Sequence, residues 1–310
     1  MDTFTKYLES KDYTKSTRER YLRDAESFLN WYGGEAENCH KKDILKYLGH
    51  LQKKGLQNRS RSFVLTALSH YFTFLHKNGN IAQNPTALLR IRGTKKKTLH
   101  HIFTPEQLDS LCDDYCHNFV RNLDNENLPD NMRQRIHLSR QRNYVMLGFL
   151  VYQGLATNEL QTITTDDINI NKATVKINGT RQSNGRTLPL KAPQIGSLIN
   201  YINNIRPKFF DHCNHTERLF FALPEHGRGK EPKPNLNNTV NAMAKQLKSI
   251  NGTFHNLKQI RASVITNWLK TEGLRKAQYL SGHRYISSTE QYLPNNLESL
   301  TDDIAKFNPF

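Results

Sequence analysis

Lys258-Gln259-Ile260-Arg261-Ala262-Ser263-Val264-Ile265-Thr266-Asn267-Trp268-Leu269, then Gly282-His283, then Tyr292 nine residues after that histidine, is the stretch that decides the reading of this chain. Val264, Trp268 and Leu269 recur at helical spacing, so a helix is expected through this run. Lys258 and Arg261, three residues apart, then share one helical face. Gly282 is the residue type that ends a helix. Gly273 also breaks the helical pattern, so two cations, an imidazole and a phenol are spread over two helical segments and the turn beyond them. His255-x-x-Lys258 offers a competing register with the same spacing of three.

The rest of the chain says what such a group would act on. With 310 residues there is room for two domains. Lys plus Arg number 44 against 28 Asp plus Glu, a net charge of +16 that points to a polyanionic partner. Residues 1–100 alone carry +10, so the N-terminal third is the denser electrostatic surface. Charge alone does not separate DNA from RNA or from an anionic lipid surface. No run of about 18 apolar residues is found and the N-terminus lacks a secretory layout, so a cytoplasmic protein is expected. Cys39, Cys112, Cys116 and Cys213 are too scattered for a disulfide framework. Cys112, Cys116, His117, His212, Cys213 and His215 match no common zinc spacing, so neither metal nor cofactor is expected.

Residues 1–93 read as four or five short helices. Ser16 with Glu19 suggests a capping box before the stripe Tyr21, Leu22, Ala25, Phe28, Leu29, Tyr32, stopped by Gly33-Gly34. Ile44, Leu45, Leu48 and Leu51 form a second stripe, and Phe63, Ala67, Leu68, Tyr71, Phe72 and Leu75 a third. Residues 94–101 are basic and aperiodic, a linker suited to a phosphate backbone. Thr104-Pro105-Glu106-Gln107 opens a second domain, 102–310, with a cap, a first-turn proline and a capping glutamine. Residues 117–142 read as a polar excursion. Alternation in 173–177 and the return at 187–190 predict a hairpin with a long basic tip, and Leu219-Phe220-Phe221 a short strand. Ser287 to Glu290 suggests a capping box before Tyr292, and Leu297, Leu300, Ile304 and Phe307 form a last apolar stripe.

In its order and spacing, 258–292 resembles the second half of the active site of the tyrosine recombinase (phage integrase) family. Tyr152-Gln153-Gly154-Leu155-Ala156-Thr157-Asn158-Glu159-Leu160 resembles an upstream segment of that family, and Asp166-Asp167-Ile168 follows it. The hairpin offers Gly179-Thr180-Arg181, with Arg186 and Pro189 in their usual places. The resemblance covers nearly the whole chain. It implies a mainly α protein with a small antiparallel β-sheet: an N-terminal helical core-binding (SAM-like) domain that closes around duplex DNA, and an α+β catalytic domain. It also implies site-specific recombination through a 3′-phosphotyrosyl bond to Tyr292, as in integration or excision of a mobile element. The implied partners are double-stranded DNA, further copies of the chain in a homo-tetramer on paired sites, and accessory DNA-bending proteins. A nucleoid-associated location goes with them, and the final stripe is the kind of segment that docks onto a neighbouring subunit.

Two positions depart from the family's pattern. Ala156 stands where its first catalytic Arg falls, and Arg181 where its hairpin Lys falls. A DNA-binding protein on the same fold with weakened or no cleavage is therefore the alternative. Telomere resolution and single-chain topoisomerase activity share the chemistry.

The chemistry needs those residue types. A phenol of pKa about 10 is a weak nucleophile at neutral pH. Attack on a phosphodiester builds charge on the non-bridging oxygens, which preorganised donors must hold. Arg261 suits this as a planar, permanently charged fork. Arg181 cannot readily give up a proton, so it is expected to supply the charge missing at Ala156, leaving Lys258 as the general acid for the leaving 5′ oxygen. His283 is expected to bond the scissile phosphate or orient the nucleophile, and Glu159 to hold a nearby cation from behind.

Overall fold

The computed structural model describes residues 2–93, 101–122, 129–181, 183–224 and 230–293. The chain divides into two compact units, Met1–Thr98 and Leu99–Phe310. Most of the linker at 94–101 and the whole apolar stripe from Leu297 to Phe307 lie outside the described residues.

The first unit is helical. Its long elements are α1 (Asp2–Glu9), α2 (Lys15–Tyr32), α3 (Lys41–Lys53) and α4 (Asn58–Lys77). Thr14, not Ser16, caps α2: its hydroxyl accepts from the Thr17 N–H at 3.3 Å. The helix therefore starts earlier than the expected box, because Thr14 is extended and free to turn its side chain inward. Gly33 ends α2 at φ 67°, a left-handed conformation that glycine adopts without strain. Phe4, Phe28, Ile44, Leu68 and Phe72 are fully buried and form the core. Each such side chain stabilises the fold by about 2 kcal/mol.

Two members of the expected stripes fall outside this core. Leu45 is half exposed and Tyr47 takes its place inside. Phe63 is exposed on one face, with the Arg20 guanidinium 4.7 Å above its ring.

The second unit begins at α5 (Pro105–Tyr115), whose predicted cap is formed in both directions: Thr104 accepts from the Gln107 N–H and Gln107 accepts from the Thr104 N–H. The polar stretch at 117–142 is more ordered than its composition suggests. A π-helical turn continues α5 to Arg121, and α6 (Asp130–Tyr152) starts within it. Inward-facing Leu138 and Arg142 carry α6 into the core; Arg142 donates to the Phe221 carbonyl at 2.7 Å.

Three antiparallel strands follow, β1 (Ile168–Asn169), β2 (Thr174–Ile177) and β3 (Arg186–Pro189), ordered β1-β2-β3. Val175 pairs with Leu188 and Ile177 with Arg186, so these four side chains share the buried face. Then come α7 (Ala192–Asn200), a π-helical stretch, α8 (Arg206–Phe209), α9 (Asn237–Ile250), α10 (Leu257–Ser281), which is two helical segments joined at a kink where Gly273 takes φ 76°, and α11 (Ile286–Glu290). Leu219, Phe220 and Phe221 are fully buried but do not form the expected strand; only isolated bridges flank them, at Thr164–Arg218 and Ala222–Lys233. Their burial is apolar packing against α6 and the π-helical stretch, with Phe220 against Phe149 and Tyr201. Among the described residues, no helix is long and apolar enough to cross a membrane.

Candidate active site

α10 organises the site. Asn256 caps it, accepting from the N–H groups of Lys258 and Gln259. Buried Gln259 donates to the His101 and Thr253 carbonyls, each at 3.0 Å, and the Ser263 hydroxyl accepts from the Phe103 N–H at 2.9 Å. These bonds fix the helix in the unit independently of its functional groups. Lys258 is exposed in its first turn, and Arg261 lies one turn further in.

Arg261 reaches three neighbours. One terminal nitrogen donates to the Gly154 carbonyl; the other donates to the Ser281 carbonyl at 2.9 Å and lies 3.3 Å from Nε2 of His283. Its guanidinium is also 3.6 Å from the Glu159 carboxylate. Burial draws Arg261 below its ordinary pKa, against the opposite pull of Glu159 and Tyr292; the group stays cationic at pH 7. Gly154 permits this approach for two reasons. Its φ is 55°, and a Cβ there would come within 2.9 Å of Val264 and 3.0 Å of Trp268 on α10. Gln153 holds the same turn, its amide donating to the Pro189 carbonyl at 2.9 Å and to Gln194 at 2.7 Å.

His283 sits just beyond Gly282, the left-handed cap of α10 at φ 71°. Its Nδ1 lies 2.9 Å from the Thr289 hydroxyl. Since the guanidinium can only donate, Nε2 is the accepting nitrogen and Nδ1 carries the proton. Burial, then the charges of Arg261 and Arg186, push the imidazole down to a pKa of about 4. His283 is therefore neutral at physiological pH.

Tyr292 follows α11 in a turn, its N–H bonded to the Thr289 carbonyl at 3.0 Å. α11 begins at Ile286, so Ser287 to Glu290 form the body of that helix and not a cap before it. The Tyr292 ring lies nearly parallel to the His283 ring, 5.9 Å between centroids, and packs on Ile265, Leu269 and Ala277. Arg261, His283 and Tyr292, separated by up to 31 positions, thus meet at one place.

Glu159 lies behind them, almost completely buried. It accepts from the Ala156 N–H at 2.7 Å and from Arg186 through both oxygens, at 2.7 and 3.2 Å. Burial raises its pKa, but the hydrogen bonds and charge of Arg186, the Ala156 N–H and Arg261 outweigh this and hold it below the usual carboxylate range. The expected cation held by Glu159 is therefore chiefly Arg186.

Arg186 is absent from the residues the sequence singles out as catalytic, yet its signal is legible. Strand alternation sets it in phase with Leu188, so a charged residue occupies a core-facing position. Arg181 is exposed at the hairpin tip, and its carbonyl accepts from Arg284 at 3.0 Å. That tip is joined to the histidine loop: Ser183 bridges to His283, and the Asn184 N–H donates to the Gly282 carbonyl at 2.9 Å. His255 is exposed, its N–H bonded to Gln259.

Residues 120–298 match the Phage integrase family, and residues 1–78 match the Phage integrase N-terminal SAM-like domain. Tyrosine recombinase XerA of Pyrococcus furiosus is 25% identical over 99% of this chain and 93% of its own length. Among solved structures, XerH site-specific recombinase bound to a palindromic difH substrate superposes with a TM-score of 0.66 at 16% identity, over 93% of this chain and 79% of that one. A lambda integrase tetramer bound to a Holliday junction gives 0.63 at 16% identity, over 94% and 75%.

Proposed function

The chain belongs to the phage integrase family, and we propose that it recombines duplex DNA site-specifically with Tyr292 as the nucleophile. The meeting of Arg261, His283 and Tyr292 at one point is the observation that carries this reading. Arg261 binds the non-bridging oxygens of the scissile phosphate. Neutral His283, its proton fixed on Nδ1 by Thr289, leaves Nε2 to orient the nucleophile or accept a proton. Tyr292 attacks phosphorus, its phenolic proton passes to Nε2 of His283, and the bond to the 5′ oxygen breaks. Lys258 delivers a proton to that oxygen. The products are a 3′-phosphotyrosyl bond and a free 5′ hydroxyl, and attack by a partner strand's 5′ hydroxyl reverses the step. Because the bond energy is kept in the linkage, no ATP is consumed.

Arg181, on the exposed hairpin tip, supplies at the scissile phosphate the charge that Ala156 does not, and Glu159 holds its cations from behind. The boundaries we assign are 1–93 for the DNA-binding helical domain, 94–101 for a basic linker and 102–310 for the catalytic domain. Paired strand exchange calls for four copies of the chain on two sites, and the lambda integrase tetramer on a Holliday junction supports that assembly. We assign the protein to the integration or excision of a mobile element, working in the cytoplasm on nucleoid DNA with accessory DNA-bending proteins.

Ala156 favours a second reading, in which the chain binds DNA without cutting it. A suicide substrate separates the two. The protein first selects its site from a randomised duplex pool, and that site is then nicked a few nucleotides beyond the scissile phosphate. The short 5′-hydroxyl fragment diffuses away and traps the covalent adduct. Adduct formation by the wild-type chain, lost in Tyr292→Phe with binding retained, is the expected result. Binding with no adduct in either form would establish the second reading.

A further inference from the structure

A site that must bind a phosphodiester needs net positive charge, and a buried carboxylate beside its arginine works against that. Glu159 is 3.6 Å from Arg261 and nearly buried, so taken as a pair the two are electrically neutral. A neutral pair has little attraction left for a phosphodiester anion. Arg186 changes the sum. Its guanidinium is fully buried, donates to both Glu159 oxygens and gives its Nε–H to the Leu280 carbonyl at 2.8 Å. Arg186, Glu159 and Arg261 together carry a net charge of +1, and His283 beside them is neutral.

The placement is confined on every side. β3 directs Arg186 inward between Ile177 and the end of α10. A Cβ on Gly282 would lie 2.2 Å from its terminal nitrogen, so glycine is what lets the histidine turn pass over the guanidinium. The same group therefore backs the carboxylate and supports the loop that presents His283.

We infer that Arg186 is a positioning residue that keeps the site cationic from behind, occupying Glu159 so that Arg261 is left to bind the scissile phosphate. This rests on the recombinase reading above. Arg186 is not itself a phosphate ligand; it acts through Glu159 and Arg261. The falling pKa of His283, to which Arg186 contributes, agrees with a charge felt across the site.

The test compares three variants by the single-turnover rate of adduct formation on the nicked, selected duplex. Arg186→Met leaves Glu159 to capture Arg261, and the rate is expected to fall about a hundredfold, the usual scale for losing one charge-stabilising contact. Glu159→Gln combined with Arg186→Met restores the +1 on Arg261, and the double variant is expected to recover at least about tenfold of that loss. A role in packing alone predicts the opposite, since the double variant removes more native contacts than the single one. Arg186→Lys keeps the charge and loses the fork, and is expected to stay within about tenfold of wild type; it carries the comparison if Arg186→Met does not fold. A double variant no faster than Arg186→Met, or a hundredfold loss in Arg186→Lys, overturns the inference. No adduct from the wild-type chain overturns the recombinase reading instead, so the two failures are distinguishable.

Discussion

Gly282→Ala is the most demanding test of how the site is built. Gly282 caps α10 at φ 71°, and a Cβ there would meet the Arg186 guanidinium at 2.2 Å from nitrogen and 2.7 Å from carbon. Two costs follow. A non-glycine residue in the left-handed region loses roughly 1–2 kcal/mol. The guanidinium cannot yield cheaply either, because it is held by Glu159 and the Leu280 carbonyl. Displacing it leaves a buried carboxylate short of its partner, for roughly a further 3–5 kcal/mol. The total is about 4–7 kcal/mol, a large part of an ordinary domain's stability.

Gly33 supplies the control. It is also a left-handed cap, at φ 67°, with nothing within 4 Å of a Cβ, so Gly33→Ala is expected to cost only the first 1–2 kcal/mol. Each unit has its own tryptophan, Trp31 in the first and Trp268 in the second. In a Trp31→Phe background, fluorescence during urea unfolding reports on the second unit through Trp268; in a Trp268→Phe background it reports on the first. A loss for Gly282→Ala no larger than that for Gly33→Ala would refute the claim that Arg186 is fixed beneath the histidine turn.

Other outcomes follow from the same geometry. His283 titrates at about 4 when folded and about 6.5 when unfolded, so as pH falls from 6.5 towards 4 the unfolded chain takes up the proton first and stability declines. Above 6.5 this group contributes no pH dependence, and denaturation of wild type and His283→Gln at pH 7.5 and 5 measures the difference; equal pH dependence in both would contradict the assignment. Arg181→Ala is expected to abolish adduct formation while leaving affinity for the selected duplex largely intact, checked by gel shift and the nicked substrate together. Arg261→Lys keeps charge but not the fork that reaches Gly154 and Ser281, and adduct formation is expected to slow by about a hundredfold or more; an unchanged rate would remove Arg261 from the phosphate site.

How much of this is legible in the residues depends on how local the determinant is. The Thr104–Gln107 cap and the Gly282 stop are set within a few positions, and they form as read. The spacing from Arg261 to Tyr292 also survives into three dimensions, because only the two halves of α10, the turn at Gly282 and the short α11 separate the groups. Determinants that depend on a partner distant in sequence are harder. Leu45 and Tyr47 both fit an apolar stripe, and only the packing of Tyr47 on Phe28 and Trp31 decides which is inside. Leu219 to Phe221 are as apolar as a strand, but among the described residues no neighbouring strand offers them a ladder. Arg186 is the instructive case. Alternation marks it as inward-facing, but that it meets Glu159, 27 positions away, follows only from the turn at Gly154 and the pairing of β2 with β3. A buried charge in phase with a strand's apolar face is the pattern that asks for a buried partner.

Mass spectrometry of the trapped protein–DNA adduct tests the recombinase account most directly. After nuclease and protease digestion, the account requires a peptide whose Tyr292 side chain carries a nucleotide through its 3′ phosphate, and no such peptide from Tyr292→Phe. A nucleotide on any other residue, or strand joining undiminished in Tyr292→Phe, would contradict it.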